Sequence, residues 1–195
     1  EDMSINFMVV LEEISTAILD AVGDALRKSK VQIELLTLSE EDLRSSTDVF
    51  PIKFLDIKRT HVIYRGKDVM SDLEIPRDNL RLRCEQEIKN LMLRLRLNYV
   101  SRKQNSKSIA SLLNRIYLSL IRNLGVLVEL KSGDVLVTNS DIIEGAGKLG
   151  IDTMALHDVE KLRQDNFSLE LGDRKRLLEK VMQCVRDAAA MADKI

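Results

Sequence analysis

INFMVVLEEISTAILDAVGDALRKSKVQIELLTL, residues 5–38, decides the fold. Residues 5–11 are apolar except for Asn6, the pattern of a strand covered on both faces. Residues 12–30 then change period: Ile14, Ala17, Ile18, Ala21 and Leu26 fall on one helical stripe, and Arg27-Lys28-Ser29-Lys30 closes it with positive charge. Residues 31–38 return to a strand pattern, and Ser39-Glu40-Glu41-Asp42-Leu43 reads as a capped helical turn. A strand–helix–strand opening implies a right-handed crossover and a parallel or mixed sheet. Residues 51–58 and 61–65 read as further extended pieces, ending in the turn-like Arg65-Gly66-Lys67-Asp68.

From about residue 78 the texture becomes helical. Leu80, Cys84, Ile88, Leu91, Leu95 and Tyr99 recur at helical spacing behind Asp78 or Asn79 as cap. A second helix is predicted over 108–130, through Ile109, Leu113, Ile116, Leu120, Leu124 and Leu127, stopping at Ser132-Gly133. Shorter helices are predicted near 140–149 and 153–163. The last spans 173–193, with Leu177, Val181, Cys184, Ala188 and Met191 on one face. The expected fold is therefore α+β or α/β. Residues 1–75 form a small mixed sheet with flanking helices, and residues 76–195 an antiparallel helical bundle.

Composition agrees with packed helices. The chain is 45% hydrophobic and 31% charged, which is globular rather than disordered, yet only 4% aromatic and without Trp. Its core must be aliphatic. Cys84 and Cys184 fall inside helical apolar patterns, so buried free thiols are favoured over a disulfide and a cytoplasmic setting is expected. No apolar run approaches the roughly 20 residues of a membrane span, so no membrane partner is expected. The chain opens at Glu1 without an initiator Met, which leaves open whether residues precede it. Charge is unevenly spread: residues 1–50 carry 4 basic and 11 acidic side chains, and residues 81–131 carry 11 basic and 3 acidic. The basic stretch is either a surface complementary to the acidic one or a wall that meets phosphates.

Gly145-Ala146-Gly147-Lys148-Leu149-Gly150 spells G-x-G-x-x-G, but it comes late in a short helical segment rather than between a strand and a long helix. Close helix packing with Gly150 as a stop explains it better. His61 and His157 are the only histidines, and neither stands in metal-ligand spacing. Arg94, Arg96, Arg102 and Lys103 are candidate phosphate contacts, although a solvated helical face accounts for them as well.

DVFPIKFLDIKRTHVIYRGKDVMSDLEI at 48–75, followed by LRLRCEQEIKNLMLRLRLNYV at 80–100, resembles a bacterial group of polymerase-β-type nucleotidyltransferase proteins with a C-terminal helical domain. The likeness runs from about residue 4 onward, and its less distinctive tail ends with an aspartate, here Asp193. The resemblance implies a Gly-Ser loop, a D-x-D strand and a third acid on a neighbouring strand. Together these would hold two divalent ions and a nucleoside triphosphate. The D-x-D strand corresponds to Ser4–Leu11, so Ser4 and Asn6 stand where the aspartates belong, whereas Glu34 matches the third acid. Asp56 fits the same local pattern but too late in the chain. A register using Asp2 still leaves one acid short, and the Gly-Ser loop would precede residue 1.

With two of three carboxylates missing, no catalytic residue and no bound metal are expected, and whether the chain is an enzyme stays open. Ser4, Asn6 and Glu34 would be the relic of a nucleotide pocket. The expected role is a catalytically impaired scaffold kept for binding a nucleotide, a protein partner or a second copy; nucleic acid is less favoured. Two alternatives stand beside it. One is an active enzyme, using Mg with a nucleoside triphosphate, whose loop and acids lie upstream of residue 1. The other is a helical oligomerisation module built on the stripes at 109–127 and 177–191.

Overall fold

The computed structural model describes residues 4–101, 105–164 and 169–195. Arg102, Lys103 and Asp2 lie outside the described residues. The chain divides into two compact units, Glu1–Pro76 and Arg77–Ile195. It is a mixed α and β chain, mostly helical, with two strands and eight helices among the described residues.

In the first unit, β1 (Ser4–Leu11) pairs parallel with β2 (Gln32–Ser39) across the helix α1 (Thr16–Lys28). Ser15 caps α1 by accepting from the Ile18 N–H at 3.4 Å, and Arg27 and Lys28 sit in its last turn. β2 runs directly into α2 (Glu40–Ser45) through a capping box. The Ser39 hydroxyl accepts from the Asp42 N–H, and the Asp42 carboxylate accepts from the Ser39 N–H, both at 2.9 Å.

The expected third strand is a helix instead: α3 spans Pro51–Thr60. Ile52-Lys53-Phe54 alternates like a strand, but Pro51 occupies the first helical turn, where its missing N–H costs nothing. Spacing of three then brings Phe54 and Ile57 to one side, and Lys58-Arg59 suits the C-terminal end. Residues 61–65 join no strand either, so the sheet is two-stranded and parallel rather than mixed.

Leu43, Phe54, Met70 and Leu73 form the core of this unit, with Met8, Val10, Leu38 and Ile57 packed against it. Since strand side chains alternate, one face of β1 carries Met8 and Val10 to that core and the other carries Ile5 and Phe7. The second face stays open. Ile5 is 45% and Phe7 40% exposed, and α1 buries none of its residues, which corrects the expectation of a strand covered on both sides. The edge of the Tyr64 ring meets Phe7 with centroids 6.3 Å apart.

In the second unit, α4 (Arg77–Ser101), α6 (Asn139–Lys148), α7 (Met154–Gln164) and α8 (Leu171–Ala192) all pack on α5 (Ser106–Ser132). α5 buries twelve hydrophobic side chains between Ile109 and Leu130 while Ser111, Asn114, Arg115 and Arg122 keep one side polar and exposed, the pattern of a central helix with one solvated stripe. The stripes at 109–127 and 177–191 are largely spent inside this unit: Leu113, Leu120, Leu124, Leu127, Leu177, Val181 and Ala188 are all buried there. Gly145 and Gly147 lie within α6, and Gly150 follows it with φ 88°, so the G-x-G-x-x-G run is helix and stop. Cys84 and Cys184 are free and buried, and burial, aided by Glu87 and Asp187 respectively, pushes both thiols up to about 12. No helix among the described residues is long and apolar enough to cross a membrane.

Candidate functional site

Parallel pairing places Asn6 opposite Glu34, two residues beyond the Ser4–Gln32 pair. Paired strands run about 4.8 Å apart and register partners project to the same side, so the Asn6 and Glu34 side chains are neighbours. Both have the parity of the core-facing positions Met8 and Leu36, but they stand toward the strand starts, outside the cover of the Leu43–Phe54 cluster, and both are exposed. The fold thus brings together two of the three positions where the resemblance puts carboxylates, and Ser4 takes the next same-face backbone position along β1.

What that pair can hold follows from its oxygens. Asn6 offers one neutral carbonyl oxygen, and Glu34 offers the only carboxylate of the two. Mg²⁺ demands near-octahedral oxygen ligation and is held through carboxylates and phosphates. A cage for two ions needs several anionic oxygens between them. These residues do not fit a two-metal centre. Among the described residues, no group of three or more His, Cys, Asp or Glu is gathered closely enough to hold a metal ion. Asp56 does not help, because it sits on α3 and not on a strand.

The two arginines singled out as phosphate contacts lie in the second unit. Arg94 is exposed and reaches Glu87 at 3.5 Å, and Arg96 is exposed on the same helix. Nearby cations are also matched locally, Arg83 with Glu87 at 2.7 Å and Lys89 with Glu85 at 2.7 Å. A solvated face carrying i, i+4 pairs accounts for this stretch of α4. Asp193, the acid at the end of the resemblance, bonds Lys89 at 2.7 Å and so ties α8 to α4; the ammonium holds its carboxyl below the usual range.

A polar cluster that sequence reading passed over joins His61 to Asp68. Nδ1 of His61 stands 3.0 Å from the Ile57 carbonyl and 3.1 Å from that of Lys58, and Nε2 stands 3.1 Å from Asp68 Oδ1. The same oxygen accepts from the Met70 N–H at 2.9 Å and the Ser71 N–H at 3.1 Å. Partial burial opposes the Asp68 charge, but those N–H groups and the imidazole outweigh it and hold the carboxyl below its ordinary value. Lys58 adds a bond to the Leu73 carbonyl at 2.8 Å. With contacts at both ring nitrogens, His61 is a clasp that fastens the Asp68–Ser71 turn to the end of α3. The signal was present as Asp68-x-x-Ser71, a spacing at which a carboxylate accepts from backbone two and three residues on.

Tyr117 of α5 is the other buried polar ring. Arg163 lies 5.0 Å from its centre, and burial, with the charge of Glu160, pushes the phenol up to about 12. The ring therefore keeps its O–H near neutrality. No protein-family model, no curated protein and no solved structure matches this chain.

Proposed function

We propose that this chain is a nucleotidyltransferase-like scaffold that binds a nucleoside triphosphate without transferring it. The observation that carries the reading is the Asn6–Glu34 register pair: where the resemblance expects opposed acids, adjacent strands supply one carboxylate and one amide. An amide oxygen and a glutamate can contact the ribose or a single phosphate-bound Mg²⁺. They cannot offset the charge that develops in nucleotidyl transfer, which is the work of the paired metals.

In this reading the helical unit is an antiparallel bundle. It is supported by one cavity lined by the start of α4, the end of α5 and the residues just after α8, so that α4 runs against the other two.

Titration calorimetry with Mg-ATP and Mg-CTP tests it. Saturable binding to at least one is expected, weakened by Asn6→Ala and by Glu34→Gln. Both residues are exposed, so neither substitution should cost stability beyond about 0.5 kcal/mol. Absence of binding to both, or binding indifferent to both substitutions, removes the support.

A further inference from the structure

The second unit contains a cavity of about 300 Å³ where the first turn of α4 meets the ends of α5 and α8. Its charged lining is Arg77, Asp78 and Arg81 from α4, Lys131 from α5 and Lys194 from the end of the chain as described. Four cations face one carboxylate. Only Leu130 and Ile195 contribute apolar walls, so the cavity does not suit a hydrophobic ligand.

The cations come from three separate elements and converge, which distinguishes them from a basic run along one helix face. Arg77 and Arg81 are one turn apart on α4 and share a side. The Arg77 guanidinium donates to the Leu130 carbonyl, which fixes the side chain at the cavity wall. Arg81 is drawn toward Glu85, but at 3.7 Å and with the Glu85 carboxylate also bonded to Lys89. Asp193, the acid beside Lys194, is likewise spent on Lys89. Glu85 and Asp193 therefore serve the α4–α8 tie, and the side chains that line the cavity carry more positive than negative charge.

We propose that this cavity binds a phosphate-bearing anion, with Arg77 and Arg81 as the fixed donors and Lys131 and Lys194 closing over it. The chemistry is that of a phosphomonoester or a diphosphate: three or more acceptor oxygens with about two negative charges, sized for a pocket of this volume. The site lies wholly in the helical unit and does not depend on the nucleotide reading of Asn6 and Glu34. A competing account holds that these cations only offset the negative C-terminal ends of α5 and α8.

Calorimetric titration of the full chain with inorganic pyrophosphate and inorganic phosphate, at constant ionic strength set with chloride, separates the two accounts. Saturable binding is expected, tightest for pyrophosphate. The double variant Lys131→Gln/Lys194→Gln alters two exposed side chains with no fold-sustaining contact. It should weaken binding roughly tenfold or more, at unchanged anion-free melting temperature. Arg77→Gln should weaken it as well, though with some loss of stability because the Leu130 carbonyl loses its donor. No saturable binding at millimolar pyrophosphate, or equal affinity in the lysine double variant, overturns the proposal. Pyrophosphate binding that survives Glu34→Gln and fails in the lysine variant shows that this site stands apart from the β1–β2 pair.

Discussion

Gly133 and Gly150 end α5 and α6 with φ of 83° and 88°, the left-handed region where a Cβ collides with its own backbone. Nothing else lies near the position of an added Cβ at Gly150, so Gly150→Ala isolates the conformational cost. A loss of about 1 kcal/mol is predicted, read by urea denaturation. Asp68 makes a pH prediction. Its carboxyl is held below the ordinary value in the folded state, so the folded protein binds that proton less readily than the unfolded chain. The stabilisation is thus fully present above the unfolded carboxylate range, near pH 4, and is lost as pH falls through the folded value. Wild type should melt above Asp68→Asn at neutral pH, with the gap closing in acid. A gap that widens below pH 4 would contradict the assignment.

At the scale of elements, burial ranks the helices. Leu120 is fully buried on α5, the helix on which α4, α6, α7 and α8 pack, and Leu120→Ala should cost about 2–5 kcal/mol by denaturant titration. Leu19 of α1 is 45% exposed on a helix that buries nothing, and Leu19→Ala should stay within about 0.5 kcal/mol. The long helices were legible because α4 and α5 repeat their apolar residues over many turns, too many for chance to imitate. α2 was legible from its capping box. α3 was not, because eight residues such as PIKFLDIK match both periods, and only the position of Pro51 breaks the tie. The exposure of Ile5 and Phe7 escaped the sequence for another reason: an apolar run states what a strand would bury, not whether a cover is there.

Across the whole molecule, the candidate site was half legible. The sequence resemblance singled out Asn6 and Glu34 as positions of expected acids, and their adjacency is a property of the parallel register that the sequence alone does not give. The cation cavity of the helical unit was hidden altogether. Arg77, Lys131 and Lys194 are far apart in the chain, and only helix packing assembles them. The local charge excess over 81–131 drew attention instead to Arg94 and Arg96, which lie on an open helix face where Glu87 already meets Arg94.

The scarcity of carboxylates beside Asn6 is the premise of the proposed binding role without transfer, and manganese titration monitored by electron paramagnetic resonance tests it in the folded chain. Wild type and Glu34→Gln should be alike, with no saturable site between β1 and β2, while Asn6→Asp, by placing a second carboxylate across from Glu34, should gain one. A wild-type protein that holds manganese firmly and releases it on Glu34→Gln would contradict the account.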